Sequence, residues 1–246
     1  SEGFFGQPYG KPVAHLREVI ESVRLIVAKA HTGELDKYAG EYVNLDFDFF
    51  QPTAPPVRTE IPIWVAALRG PLVRLGAEIA DGVIGHPLWS VRWATTEIPK
   101  YIDEGLTLAG RTRADIDVNL WVWTSPGIDK KTATEEARAT MAFYGGAEQY
   151  HSYFDWHGFG DVVVKLQNGL REGTRYQDLA HLVPDEMVQE FILCGTPDEV
   201  REQLAPLWEI ATSVTPVPAA WGLPMDRLIT YMDSIGRTFY PGLREG

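Results

Sequence analysis

The stretch that decides the fold is Ile61-Pro62-Ile63-Trp64-Val65-Ala66-Ala67-Leu68-Arg69-Gly70-Pro71. Its first seven residues form a nearly continuous apolar run, which is typical of a strand buried on both faces of a parallel sheet. Gly70-Pro71 then predicts the start of a helix that runs to about Ala80, because proline fits the first helical turn. A buried strand followed directly by a helix indicates an α/β protein.

The same alternation of strand and helix continues along the chain. Further strands are predicted over residues 83–85, 117–124 and 212–217. Helices are predicted over residues 12–30, 91–109, 131–170 with breaks at Gly145-Gly146 and Gly158, from Pro197 onward, and over 225–235. Strands that alternate with helices pair in parallel through crossovers. We expect a single domain over residues 1–246, with a short hairpin outside the main sheet within residues 40–56.

Composition and charge restrict the possible functions. The 246 residues contain no apolar run of the roughly 18 residues that a membrane span needs. The net charge is −12 and no Lys/Arg cluster occurs, which argues against a nucleic-acid partner, because phosphates must be neutralised by clustered cations. The one cysteine, Cys194, excludes an internal disulfide and fits a reducing cytoplasm. Its apolar neighbours predict a buried structural thiol.

The turn after the first predicted strand is the most informative candidate site. Active sites of parallel α/β barrels lie at the carboxyl ends of the strands. Ala66 and Ala67 are small enough for a flat ligand to approach the backbone. The free N–H groups at the start of the helix at Gly70-Pro71, with Arg69 beside them, form a potential phosphate site. Equally, small residues at this point permit close packing of strand and helix.

Three histidines are candidate functional residues. His86 ends the second strand, where its side chain would project into the mouth of a barrel, although a structural role is the alternative. His151 and His157 are six residues apart, a spacing that does not stack on one helical face, and no carboxylate completes a metal site. We therefore predict no metal. The aromatic residues around them are expected to pack a helix or to line a substrate pocket.

Several motifs together resemble the bacterial luciferase-like family. They are the stretch from Ile61 to Pro71, the following Gly76-Ala77-Glu78-Ile79-Ala80-Asp81-Gly82-Val83, and the late segment Gly195-Thr196-Pro197-Asp198-Glu199. A softer likeness to the branch that uses the deazaflavin coenzyme F-420 lies in Asp81-Gly82-Val83-Ile84-Gly85-His86-Pro87 and Ala142-Phe143-Tyr144-Gly145. The resemblance implies a TIM (β/α)8 barrel whose first four strands precede Ser1 and are missing from this chain.

The resemblance also implies where the cofactor binds. Its phosphate end would lie between the turns after the barrel's fifth and sixth strands, which here are Ala66, Ala67, Leu68, Arg69, Gly70 and Pro71 on one side and Gly85 and His86 on the other. Many relatives place a small hydroxyl residue at the position of His86. The family's usual catalytic histidine belongs to an early strand, so the catalytic residue is not assigned to this chain.

Three functional hypotheses follow. The first is an oxidoreductase that transfers a hydride between coenzyme F-420 and a small organic substrate, as a cytoplasmic homodimer without membrane or nucleic-acid partners. Trp121, Trp123, Tyr144 and Tyr150 are candidates for its pocket walls, with core packing as the alternative. The second is an FMN-dependent monooxygenase. The third belongs to another class: a non-catalytic flavin-binding relative or an inactive fragment.

Overall fold

The computed structural model describes residues 10–35, 37–52, 54–240 and 242, which fall into two units. The first unit contains the described residues up to Ile84 together with Glu97–Val118. The second contains Gly85–Thr96 and the described residues from Asn119 onward. The number of domains stays a prediction from the sequence. Every helix in the described part of the chain is too short or too polar to cross a bilayer.

In its described residues, the first unit contains three helices, a short hairpin, and strand β3 beside most of strand β4. In chain order it contains α1 (Pro12–Lys29), β1 (Tyr38–Ala39), β2 (Asn44–Leu45), β3 (Trp64–Ala67), α2 (Gly70–Ile79), most of β4 (Gly82–Gly85) and α4 (Ile98–Ala109). β1 and β2 form an antiparallel hairpin with Tyr38 opposite Leu45, and its first strand lies before the range of residues 40–56 in which a hairpin was predicted. α1 and α2 begin and end within one or two residues of their predicted bounds.

Strand β3 is shorter than predicted and only one of its faces is buried. It begins at Trp64 because Pro62 has no N–H to donate and the Ile63 N–H donates instead to the Asp81 carboxylate at 2.8 Å. Val65 and Ala67 are buried, whereas Trp64 and Ala66 are exposed. The prediction of burial on both faces was therefore wrong, because α2 covers only the face that carries Val65 and Ala67.

Glycines let α2 and α4 approach each other closely. A Cβ atom on Gly105 of α4 would lie 2.3 Å from the backbone oxygen of Arg74 and 2.7 Å from Cβ of Ala77, both on α2. A Cβ on Gly70 would likewise fall within the ring of Tyr101 on α4. Close backbone approach of this kind requires the absence of a side chain. These contacts fix the position of the helix that follows β3.

The second unit contains the longest strand and most of the helices. Its elements are α3 (Val91–Thr96), β5 (Asp117–Pro126, from Asn119 onward), α5 (Lys130–Gly146), α6 (His151–Trp156), α7 (Gly160–Arg171), α8 (Asp185–Phe191), β6 (Leu193–Gly195), α9 (Pro197–Leu204), β7 (Ser213–Pro218) and α10 (Met225–Phe239). β5 pairs in parallel with β7, Trp121 opposite Thr215, and with β6, Ser125 opposite Cys194. The predicted parallel pairing is confirmed.

Sequence patterns located most boundaries in this unit and missed two elements. α9 begins with the predicted capping box, in which the Thr196 side chain accepts from the Glu199 N–H and the Glu199 carboxylate accepts from the Thr196 N–H. The long helical stretch ends at Gly146 and breaks again at Gly158, whose φ is +88°. The seven-residue helix α8 and the three-residue strand β6 were not predicted. Elements this short contain too few residues to show a periodic apolar pattern.

The helix predicted over residues 91–109 is two helices. α3 ends at Thr96, and α4 begins at Ile98 with Pro99 in its first turn. Proline in a helix interior removes a backbone hydrogen bond, whereas in a first turn it costs nothing. The left-handed residue Gly110, with φ of +64°, ends α4 where the sequence predicted.

Candidate functional site

The turn after β3 presents a helix start with a positive side chain. Ala66 is exposed, Ala67 is buried, Leu68 is half-buried, and Arg69 and Pro71 are exposed. Arg69 has extended backbone geometry and provides no side-chain cap for α2. The positive end of the α2 dipole and the Arg69 guanidinium thus occur in one short segment, which suits an anion.

Two of the small residues in this turn have different roles. Gly70 is buried, and its missing side chain is explained by the ring of Tyr101, so it serves the packing of α2 against α4. Ala66 lies on the opposite, uncovered face of β3 and leaves that part of the strand open. The small size of Gly70 is therefore explained by helix packing. For Ala66, the hypothesis that a small residue lets a flat ligand approach the backbone still applies.

The turn after β4 positions His86 in the second unit. Gly85 is buried, and a Cβ there would lie 2.6 Å from the ring of Trp89, so this glycine is required by packing. The Leu88 N–H donates to Nδ1 of His86 at 3.1 Å. Nδ1 is thus an acceptor, which assigns the ring proton of the neutral imidazole to Nε2.

Aromatic rings surround the imidazole of His86. The ring centroids of Tyr144 and Tyr150 are each 5.9 Å from it, and that of Trp123 is 6.4 Å away. Burial among these rings lowers the pKa of His86 to about 4. The imidazole is consequently neutral at pH 7 and offers one N–H donor. Of the four predicted wall residues, Trp123, Tyr144 and Tyr150 are brought together here.

Trp121 and Trp123 lie on the same face of β5 with different surroundings. Trp123 is only 2% exposed, and its ring is 4.6 Å from that of Tyr144. Trp121 is 43% exposed, two residues closer to the start of the strand. Leu120 and Val122, on the other face, are buried. The structure therefore includes Trp123 in the aromatic group around His86, and among the described residues no ring contacts Trp121.

A second group of rings follows β7 and was not identified from the sequence. Trp221 stacks on Phe143 of α5, with ring centroids 4.2 Å apart and planes inclined by 6°. Tyr144 contacts Trp221 edge-on at 6.4 Å, so this group continues into the rings around His86. A tryptophan in the Trp221-Gly222 turn directly after a strand was the available signal, but the stacking partner comes from a distant helix.

The remaining candidate side chains have structural surroundings. His157 is buried, its Nδ1 is 2.8 Å from the backbone oxygen of Tyr153, and its Nε2 is 3.1 Å from the hydroxyl of Ser90. His151 contacts Gln167 at 3.2 Å instead. Cys194 is buried, as predicted, and burial raises the pKa of its thiol to about 12. No cluster of metal-binding side chains occurs among the described residues.

The predicted cofactor residues are thus found in two turns, each with its own geometry. Ala66 to Pro71 belong to the first unit, and Gly85 and His86 belong to the second. That both turns hold one cofactor stays a prediction.

Comparison with known proteins gives a consistent family match. The family described as luciferase-like monooxygenase matches residues 1–212. A putative coenzyme F-420-dependent oxidoreductase of Mycobacterium tuberculosis is 30% identical over 224 residues, which are 85% of this chain and 63% of that protein. A 5,10-methylenetetrahydromethanopterin reductase of Archaeoglobus fulgidus is 28% identical over 251 residues, which are 97% of this chain and 69% of the relative.

Solved structures give the same fold. The coenzyme F-420-dependent tetrahydromethanopterin reductase of Methanopyrus kandleri matches with a TM-score of 0.73 and 23% identity, over 94% of this chain and 63% of that one. The predicted luciferase-like α/β fold with a parallel sheet is thereby confirmed. The chain spans about 60% of the length of the first curated relatives that it matches.

Proposed function

Because the chain belongs to the luciferase-like monooxygenase family, we propose that it is part of an oxidoreductase that transfers a hydride between coenzyme F-420 and a small organic substrate. The observation that carries this proposal is the uncapped start of α2 beside the exposed Arg69, in the stretch that resembles the family's cofactor turn. Relatives named as F-420-dependent enzymes support the choice of cofactor.

The residues present fit an F-420 molecule in three respects. The uncapped helix start and Arg69 would hold its phosphate, and the exposed Ala66 would leave room for the chain of the cofactor. His86, neutral at pH 7, would donate a hydrogen bond from Nε2 without adding charge. When bound, the deazaflavin accepts or supplies the hydride. The protein residues bind and orient it.

The environment of the reaction follows from the same proposal. We assign the substrate to the class of small molecules, on which the named relatives act, and the protein to the cytoplasm as a homodimer. The single cysteine is consistent with a reducing compartment. Sedimentation of the purified protein would test the dimer directly.

An FMN-dependent monooxygenase is the second candidate, because the matching family is described by that activity. A riboflavin lyase solved with a modified FMN shares the fold, with a TM-score of 0.55 and 15% identity. FMN also carries a phosphate, so the start of α2 would suit either cofactor. The two candidates differ in which ring system the protein binds.

Cofactor titration tests the proposal. F-420 and FMN are titrated in parallel into the purified protein, and binding is followed through the quenching of cofactor fluorescence. We expect F-420 to bind and FMN not to bind. Arg69→Ala should weaken F-420 binding about tenfold to a hundredfold, since hydrogen bonds to charged groups contribute roughly 1.5–3 kcal/mol.

Arg74→Ala is the matched control. Arg74 is an exposed arginine of the same helix, 3.8 Å from Glu104, and lies a turn beyond the start of α2. Its replacement should leave F-420 binding unchanged. Tight FMN binding without F-420 binding would establish the second candidate instead, and equal losses in both variants would remove Arg69 from the site.

A further inference from the structure

The rings that follow β7 form an exposed aromatic surface held in a fixed orientation. Trp221 is 43% exposed although one face of its indole ring is covered by Phe143. The exposed area therefore belongs to the other face and the edge of the ring. Tyr176 supports Phe143 from the side, with centroids 5.3 Å apart and planes inclined by 75°.

The backbone beside Trp221 is also fixed. Its N–H donates to the Thr140 hydroxyl of α5 at 3.2 Å. Gly222 adopts a φ of +85°, and a Cβ there would lie 3.1 Å from Ala139 and 3.3 Å from Gln177. A side chain at this position would be strained and crowded. The turn thus holds the indole ring of Trp221 in one orientation.

A recess of about 250 Å³ borders the same ring. Its walls are Pro218, Ala220, Trp221, Gly222 and Leu228, and none of these side chains is charged. It begins at the carboxyl end of β7, the end at which barrel enzymes bind their substrates. Typical ligand pockets measure roughly 300–1,000 Å³, so this recess suits one ring of a ligand.

Two arginines beside this region, Arg227 and Arg175, are already paired with carboxylates. Arg227, next to Leu228 in α10, donates to both carboxylate oxygens of Glu136 at 2.9 and 2.7 Å. Arg175, next to Tyr176, is paired in the same way with Asp178 at 2.9 and 3.0 Å. Neither guanidinium is available as the main binding group for a substrate phosphate or carboxylate.

The turns that follow the strands of the second unit contain few charges of their own. The described segments 85–90, 127–129 and 219–224 contain no lysine or arginine, and α5 then begins with Lys130 and Lys131. The one carboxylate, Asp129, caps α5 by accepting from the Thr132 N–H at 2.8 Å. His86 is surrounded by rings and offers only a neutral N–H.

From this placement we infer that the substrate is an uncharged molecule with a flat conjugated ring, and that the ring stacks on the free face of Trp221. This inference rests on the proposed function, because it names the substrate class of that enzyme. An indole face attracts flat rings through dispersion and quadrupole interactions. A phosphorylated sugar or a carboxylate would lose its hydration against these rings, and the guanidiniums of Arg227 and Arg175 are already paired with carboxylates.

Three probes of similar size separate the effect of a flat conjugated ring from the effect of charge. Acetophenone is neutral and flat, cyclohexyl methyl ketone is neutral without a conjugated ring, and benzoate is flat and negatively charged. Each is titrated into the ¹⁵N-labelled protein while the indole Nε1–H signals are recorded by NMR. The Trp221 signal is assigned as the one that disappears in Trp221→Phe. We expect acetophenone to shift this signal at concentrations about tenfold lower than either other probe.

Tryptophan variants test whether acetophenone binds at Trp221. Trp221→Ala should weaken acetophenone binding about fivefold to tenfold, and Trp221→Phe, which retains a ring against Phe143, should weaken it less. Trp208→Ala is the matched control, because Trp208 is another exposed tryptophan of the same unit but precedes β7. It should leave acetophenone binding unchanged. Thermal unfolding of each variant establishes that it is folded.

F-420 titration of the same samples separates the two proposals. If F-420 binds but benzoate binds as well as acetophenone, or Trp221→Ala binds acetophenone normally, the inference is overturned and the proposed function stands. If acetophenone shifts only the signals of other tryptophans, the inference is likewise overturned. If F-420 does not bind to the wild-type protein, the proposed function fails, whatever the probes show.

Discussion

The turn after β3 and the ring cluster of Trp221, Phe143, Tyr144 and His86 are both at the carboxyl ends of strands, yet they are built by opposite means. The turn offers a helix dipole and the exposed cation Arg69. The ring cluster offers apolar surfaces and a neutral imidazole. Under the two proposals above, the first region would bind the charged end of the cofactor and the second would bind the ring of the substrate.

The largest expected effect concerns the helix that supports the turn after β3. Gly105→Ala should lower the free energy of unfolding by about 3 kcal/mol, because the new Cβ would collide with the backbone of α2. Urea unfolding measures this change. The matched control is Gly236→Ala in α10, where nothing lies within 4 Å of the new Cβ. Alanine there should stabilise the protein by up to about 1 kcal/mol. Equal effects would show that close packing of α2 is not required.

An intermediate effect concerns the charge of His86 in the ring cluster. Its folded-state pKa of about 4 lies below the ordinary value of 6.5. Between these two pH values the imidazole is protonated in the unfolded chain and neutral in the folded protein, so protonation favours unfolding. The contribution of His86 is fully present above about pH 6.5 and is lost as the pH falls towards 4. Between pH 7 and pH 4.5 the loss should be about 2 kcal/mol.

The measurement compares the wild-type protein with His86→Phe. Urea unfolding of both proteins at pH 7 and at pH 4.5 gives the acid sensitivity of each, and carboxylates that titrate elsewhere cancel in the difference. We expect the variant to lose less stability than the wild type. The same loss in both would mean that the imidazole is well hydrated in the folded protein, and the description of a neutral ring cluster would have to be abandoned.

The smallest effect concerns hydroxyl groups near the ring cluster. Thr124 of β5 is fully buried, and its hydroxyl has no hydrogen-bond partner among the described residues. Thr124→Val should therefore raise the free energy of unfolding by about 1 kcal/mol, since a desolvated hydroxyl without a partner is costly. Thr140→Val, the same substitution at a hydroxyl that accepts from the Trp221 N–H, should lower it by a similar amount. Calorimetry of both variants checks the opposite signs, and a loss at Thr124 would reveal a partner for its hydroxyl.

Much of the fold could be predicted from local sequence. α1, α2, α9 and α10 begin where prolines, capping residues and apolar periodicity place them. These signals depend on residues only a few positions apart, so they can be recognised in the sequence alone. β6 was not predicted because three residues are too few for a periodic pattern. The exposure of one face of β3 was not predicted because the residues that could cover a strand are distant from it in sequence.

The candidate site was predictable in part. The turn from Ala66 to Pro71 was identified because a strand end, a proline and a helix start are adjacent in sequence. Tyr144 and Tyr150 were predicted only as candidate pocket walls, and the sequence pattern indicated neither their contact with His86 nor the role of Trp221. Both depend on α5 and on the turns after β4 and β7 packing together, which no local pattern records.

The sequence by itself determined most of the strands and helices, the family resemblance and the cationic helix start after β3, because each depends on neighbouring residues. Only the tertiary structure decided that Gly70 serves packing, that His86 is neutral, and that Trp221 presents one free face beside an uncharged recess. Burial and ring contacts arise from residues far apart in the chain. They set the local dielectric and the shape of a surface, and these two properties decide which ligand a site accepts.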